Sequence, residues 1–332
     1  MTILHLGHQP ADLGGIEPAL MSTDPAGFDA ELDVNAVKFT GGRSHSSAFS
    51  LAFPPPAGDL WLQVRLRAPD TSSAEFYYKD VSVLAFRDAS GNTVAELRGR
   101  KSTPTIFARA SGDTVVDGAN GIDKGTGTVH WINVRVAVGT DITIELYDGA
   151  GLMSSATAAN TAGKGKPVSA VFGNTNMHSH FGDATWYYAH IAVLDGTPTI
   201  GRRFARQVPG MAGAHGQWAG TLAALGDGNI ATRMSSDTAG QRQSATLAGP
   251  AGPAGAAIAA VHIKAVAQAG TSGPGSLAGF LRLGGVDHDA SAAALSSAVP
   301  EQVIFSWPQN PGNGAVWTDA TLPAEIGLLS AP

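Results

Sequence analysis

Between Val129 and Gly151 the chain reads VHWINVRVAVGTDITIELYDGAG, with Ile132, Val134, Val136 and Val138 at every second position and Asn133 and Arg135 between them. After Gly139-Thr140-Asp141 the alternation resumes as Ile142, Ile144 and Leu146, with Thr143, Glu145 and Tyr147 on the other face. Successive side chains of a strand point to opposite faces, so the pattern predicts two half-buried strands joined by a tight turn. Asp148-Gly149-Ala150-Gly151 supplies the next turn, because glycine tolerates positive φ.

The same period recurs along the first half. LWLQVRLR turns Leu62, Val64 and Leu66 inward and Gln63, Arg65 and Arg67 outward. AVKF from Ala36, SAFSLAF up to Pro54-Pro55-Pro56, and residues 81–87, 93–98, 105–110, 168–172 and 186–194 read as further strands. Asp88-Ala89-Ser90-Gly91-Asn92, Ser111-Gly112-Asp113 and Asp117-Gly118 separate them as turns. In the second half, strands are predicted at 231–234, 243–247, 258–266, 277–283 and 302–307. GPAGPAG (249–255) is too short for a triple helix and reads as a flexible loop. Near the end, Trp317 is expected in a core, Thr318 caps a short helical turn, and 326–329 form a last strand.

Many short strands between turns spell an all-β protein, two β-sandwich (jelly-roll) domains in tandem. Four divisions are expected: a weakly patterned N-terminal attachment segment (1–35), in which Ile3, Leu4 and Leu6 allow a short strand or a docking arm, a first domain (36–196), a Gly-, Pro- and Arg-containing linker (197–214) and a second domain (215–332). The 42 Gly and 19 Pro among 332 residues suit such a fold, and 43% hydrophobic residues are enough for real cores. A net charge of −6 argues against nucleic acid as main partner. Cysteine is absent, which excludes disulfides and thiolate chemistry. The first residues, MTILHLGHQPADLGG, lack the charged and apolar regions of a signal peptide, and no apolar run nears the roughly 20 residues of a spanning helix. A soluble protein made in the cytoplasm, with no membrane insertion, is expected.

With FSLAF, LWLQVRLRAP, VLAFRDASGNTVAEL, the central hairpin and a closing WYYAHIAVLDG, residues 30–196 resemble concanavalin-like or laminin-G-like jelly rolls. That fold hosts binders and hydrolases alike. Residues 215–332 resemble C-terminal β-domains in virion proteins of tailed phages and phage-derived gene transfer agents. The resemblance rests on FLRLGGVDHDA, PEQVIFSWPQNP, the Asn310-Pro311-x-x-Gly314 turn, Trp317-Thr318 and Glu325-Ile326-Gly327. It implies a tail-fibre, spike or head-fibre component located on a virion.

No G-x-S-x-G, H-E-x-x-H, P-loop or G-x-G-x-x-G is present. Glu75, Glu96 and Glu145 stand isolated, without the paired carboxylates of a concanavalin-like glycosidase, so an enzyme is not expected. His178, His180 and Asp183 have ligand-like spacing but read as loop residues, as does Asp287-His288-Asp289. No cofactor is expected. The only candidate ion is calcium, for which Asp113, Asp117, Asn120 and Asp123 supply oxygens in one loop region. The aromatic runs Phe76-Tyr77-Tyr78 and Trp186-Tyr187-Tyr188 either fill the core or turn rings outward to stack on sugars. The carbohydrate contact is therefore placed on Asn174, Asn176, His178, His180, Asp183, Trp186 and Tyr187, against the alternative of a polar loop whose aromatics turn inward.

The function expected is a non-enzymatic virion adhesin. Its partners are host cell-surface polysaccharide and other virion structural proteins, and it assembles as a homo-oligomer, because linked weak sites gain avidity. The rivals are a connector or decoration protein without a glycan site and a polysaccharide-degrading enzyme.

Overall fold

A computed structural model describes residues 2–7, 12–15, 21–29, 34–41, 49–67, 81–99, 105–123, 129–173, 184–227, 229–249 and 252–332. They form an all-β chain of antiparallel sheets in two compact units, the first Met1–Phe28 with Asn35–Arg203 and the second Phe204–Pro332 with Asp29–Val34. Among the described residues no helix is long and apolar enough to cross a membrane.

The first unit contains Thr2–Gly7 (β1), Gly14–Gly15 (β2), Met21–Asp29 (β3), Val34–Gly41 (β4), Phe49–Ala52 (β5), Leu60–Arg67 (β6), Val81–Arg87 (β7) and Thr93–Gly99 (β8). Thr105–Ser111 (β9), Val115–Asp117 (β10), Ile122–Asp123 (β11), Val129–Val138 (β12), Asp141–Asp148 (β13), Gly151–Ala159 (β14), Ser169–Phe172 (β15) and Ala184–Asp195 (β16) follow. One eight-stranded sheet has the order β14-β13-β12-β6-β16-β4-β3, with β1 also on β16. The other runs β10-β9-β8-β7-β15-β5-β2, with β11 on β9. Leu62, Val64, Leu66, Ile132, Val134, Ile144 and Leu146 of the first sheet share one core with Phe49, Leu51, Phe86, Leu97, Ile106 and Phe172 of the second. The result is a β-sandwich-like unit.

The central hairpin forms in the predicted register, Val134 opposite Leu146 and Val136 opposite Ile144. In the N-terminal division Thr2–Gly7, which includes Ile3, Leu4 and Leu6, takes the strand alternative and joins the first sheet, paired with residues 191–195. The linker expected at 197–214 differs from its expectation. Thr199 is buried, and the Gln63 side chain donates to the carbonyls of Thr199 and Arg202, at 3.0 Å each, which ties 197–203 to the first unit. The residues after Gln207 are a strand of the second unit.

That unit comprises Val208–Gly216 (β17), Arg242–Ala248 (β18), Val261–Ala267 (β19), Ser276–Leu283 (β20), Val286–Asp289 (β21), Ala293–Ala294 (β22), Glu301–Trp307 (β23) and Glu325–Ala331 (β24). A six-stranded sheet, β17-β18-β24-β20-β21 with β22 on β20, accompanies the pair β19-β23. β17 is an edge strand of VPGMAGAHG with two register shifts, and it pairs through its backbone. Its small residues and proline carry no alternation, hence its absence from the sequence reading. No strand forms at 231–234, where Thr232 closes a turn on Asp227 and Asn229. The GPAGPAG loop lies partly outside the described residues. Trp317 is in the core as expected, its indole N–H donating to the Trp307 carbonyl at 2.8 Å. Thr318 and Thr321 close a capping box over the short turn that follows.

Gly327 on β24 lies opposite Phe280 on β20, and a Cβ there would collide with the Phe280 ring and the Gln243 carbonyl oxygen. Both neighbours are fixed, one in the core and one in a ladder. Gly327→Ala is therefore expected to destabilise the second unit by about 1–3 kcal/mol, read as a lower urea midpoint at unchanged slope.

Candidate functional site

The residues proposed for carbohydrate contact divide in the structure. Asn174, Asn176, His178, His180 and Asp183 lie outside the described residues, as do Phe76-Tyr77-Tyr78 and Glu75. Trp186 is 3% exposed, opposite Phe39 on β4, and stacks on Tyr188 with ring centroids 6.3 Å apart. This corrects the expectation of an outward-facing Trp186. Positions 186 and 188 share a face, and the register of β16 on β4 and β6 puts that face on the core side, with Val37 and Leu66 beside Tyr188. Tyr187 alone faces outward, with the Arg67 guanidinium 5.2 Å and the Lys38 ammonium 6.0 Å from its ring centre.

The oxygens considered for calcium are not gathered. Asp113 accepts the backbone N–H groups of Thr161 and Ala162 and the Thr161 hydroxyl, which hold its carboxyl below the usual range. Asp117 forks onto Arg109. Among the described residues no group of three or more His, Asp or Glu is placed to hold a metal. Glu96 pairs with Arg98, and Glu145 with Arg135 and the Tyr147 hydroxyl.

Around Tyr187 the outer face of β12-β6-β16 is built in rows across the strands. Val129, Arg67, Tyr187 and Lys38 form one row, from β12 through β6 and β16 to β4. Trp131, Arg65 and Ala189 form the next, roughly 7 Å along the strands. The Arg65 guanidinium is 5.1 Å from the Trp131 ring centre, and Arg203, reaching back from the 197–203 segment, is 3.6 Å from it. Both aromatics and Arg65 are half-buried; Arg67 and Arg203 are exposed. Among the described residues no carboxylate pairs with Lys38, Arg67 or Arg203.

His190 underlies this face. It sits at the bulge where β16 shifts register on β6, between Ala189 and Ala192, with φ of +52. Side chains seldom adopt that backbone region, and holding one there costs about 1–3 kcal/mol. Its imidazole is fully buried 4.8 Å from the Trp131 ring. Burial, reinforced by the charges of Arg65 and Arg203, lowers its pKa to about 3. The ring is thus neutral at physiological pH.

Beyond that row the polar side chains bond mostly to one another and to nearby backbone. Gln63 donates to Asn133 at 3.0 Å, and Asn133 to the Gly149 carbonyl at 3.0 Å. Arg135 bridges Asp59 at 2.7 Å and Glu145 at 3.1 Å. Positive charge and aromatic surface are therefore concentrated at the Tyr187–Trp131 end.

The second unit holds a different polar cluster. Arg242 forks onto Asp289 with both contacts 2.7 Å, His215 Nε2 lies 2.8 Å from Asp287, and Arg282 also pairs with Asp287. Glu325 accepts the Ala214 N–H at 2.6 Å and the Ser244 hydroxyl at 2.5 Å. Asp287, held below the usual carboxylate range by Arg282 and His215 against its own burial, is a strut of this sheet and not a loop ligand. The Ser244 hydroxyl donates to Glu325, which ties β18 to β24.

No protein-family model matches this chain, and no curated protein matches it. Among solved structures it is similar to the alginate lyase from Klebsiella pneumoniae, at 10% identity over 54% of this chain and 85% of the lyase, with a TM-score of 0.38. An endo-β-1,4-glucuronan lyase from the fungus Trichoderma reesei is similar at 9% identity over 55% and 93%, TM-score 0.37. The botulinum neurotoxin type G receptor-binding domain is similar at 11% identity over 61% and 48%, TM-score 0.35. All three likenesses are distant, and they assign no role to any residue of the face.

Proposed function

We propose that this chain is a non-catalytic attachment protein whose first unit, a jelly roll of the concanavalin or laminin-G kind, holds surface polysaccharide on the outer face of β12-β6-β16. The observation that carries this reading is the placing of Trp131 and Tyr187 in adjacent rows, each half-exposed and each flanked by cationic side chains. Aromatic rings give sugars an apolar contact surface, while guanidinium and ammonium N–H groups donate to ring oxygens and hydroxyls. A rigid sheet holds both kinds of group at fixed spacing without loop ordering. The sequence pattern of residues 215–332 supports a place on a phage or gene-transfer-agent particle, among other virion proteins and as a homo-oligomer.

Trp131→Ala and Tyr187→Ala are each expected to weaken binding to host capsule or cell-surface glycan by about 1–3 kcal/mol, roughly 5- to 150-fold. Titration of purified glycan by calorimetry, beside thermal melts of each variant, separates lost contact from lost fold. A folded double variant that still binds as the parent does would eliminate this face. A glycan array on which the parent binds nothing would favour a connector role.

A further inference from the structure

We propose that the ligand of the Tyr187–Trp131 face is an anionic polysaccharide, one whose repeating unit carries a carboxylate or a sulfate. The inference rests on the binding role argued above and adds the chemical class of the ligand.

Overall the chain is acidic, 27 Asp and Glu against 21 Lys and Arg. This face departs from that balance. Lys38, Arg65 and Arg67 project from adjacent strands across the Tyr187 and Trp131 rows, and Arg203 completes the group from the 197–203 segment. Among the described residues no acidic side chain stands in either row as the register defines them. Among the described residues of the same sheet face, Asp59 and Glu145 lie at the far end and are engaged by Arg135, and Asp141 stands beyond them at the start of β13. Gathering like charges is unfavourable unless something offsets it. Here the rings do so in part, because the negative face of an aromatic ring attracts a cation. The buried neutral imidazole of His190 adds no further charge beneath them.

The assembly is thus held ready without a bound anion and keeps its donors facing outward. A guanidinium presents a planar fork that matches carboxylate and sulfate oxygens, and the neighbouring ring accepts the apolar face of the same sugar. Alternating acid and ring along a polyuronate or sulfated glycan repeats that pair of features. Nucleic acid needs a longer basic stripe to release many counterions, and an acidic chain with one short basic face does not supply it.

The test uses the full chain in affinity electrophoresis and calorimetry against polygalacturonate, dextran sulfate, unmodified dextran and single-stranded DNA, at low and at physiological salt. Polygalacturonate or dextran sulfate should bind at least about tenfold more tightly than dextran, with affinity falling as salt rises. Those two arms also tell a carboxylate ligand from a sulfate ligand. Arg67→Ala and Arg203→Ala, both at exposed positions, should each lose about tenfold on the anionic glycan. Arg87→Ala, exposed on β7 of the other sheet, should lose nothing. Dextran bound as tightly as the anionic polymers, without salt dependence, would overturn the anionic assignment and leave the binding role standing. Failure to bind any polysaccharide would overturn both. DNA bound as tightly as the anionic glycans would overturn the assignment to polysaccharide.

Discussion

Tyr188→Ala is expected to destabilise the first unit by about 3–5 kcal/mol, the range for deleting a large ring from a closed core. The Tyr188 ring has no solvent exposure. It stands edge-on to Phe49 at 5.0 Å and to Phe172 at 5.5 Å, and those two rings stack on each other at 4.6 Å. Phe49 and Phe172 belong to β5 and β15 of the second sheet, so the ring joins the two sheets of the unit. Its removal leaves a cavity walled by strand-anchored aromatics that cannot close in. Tyr188→Phe should behave oppositely. The hydroxyl has no partner among the described residues and burial pushes its pKa up, so its loss should leave stability unchanged or raise it by up to about 1 kcal/mol. Urea unfolding followed by circular dichroism reads both variants. A fall of less than about 1 kcal/mol for Tyr188→Ala would mean that the sheets are not joined through this ring.

Acid should destabilise the first unit well before its carboxylates titrate. In the unfolded chain His190 ionises near the ordinary 6.5, whereas the folded imidazole resists protonation down to about 3. Between those values the unfolded state binds a proton that the folded state refuses, so stability rises with pH across that interval. At pH 5 the loss relative to neutral pH should be about 2 kcal/mol from this residue alone. Asparagine tolerates positive φ and carries no charge, so His190→Asn should flatten that part of the profile. Urea midpoints at pH 7.5 and pH 5.0 for parent and variant provide the comparison. An equal acid loss in both proteins would show that the burial of His190 is not what sets the slope.

The strands were legible wherever apolar residues alternated against polar ones. Ile132, Val134, Val136, Ile142, Ile144 and Leu146 are all in the core of the first unit, and the outward direction of Arg65 and Arg67 was readable from LWLQVRLR alone. The WYY run was not legible in the same way. With aromatics at three successive positions, alternation says that 186 and 188 agree but not which side they take; only pairing with Phe39 and Val37 decides it. The face around Trp131 was harder still. Its rows join β6, β12 and β16, strands far apart in the chain, and no local pattern announces that β6 lies between the other two. His190 was missed because a bulge has no period of its own. The one weak clue lay in the polar side chain within the apolar run AHIAVL.

The pairing of Thr2–Gly7 with residues 191–195 has a consequence for how the protein is made. β16 is flanked along its first part by β4 and along its second by β1, the two meeting near the His190 bulge. The first strand of this unit to be made therefore waits for the last before it has that partner. Until then its backbone N–H and C=O groups, and those along half of β16, are unpaired edges open to a neighbouring nascent chain. Such distant closure is slow.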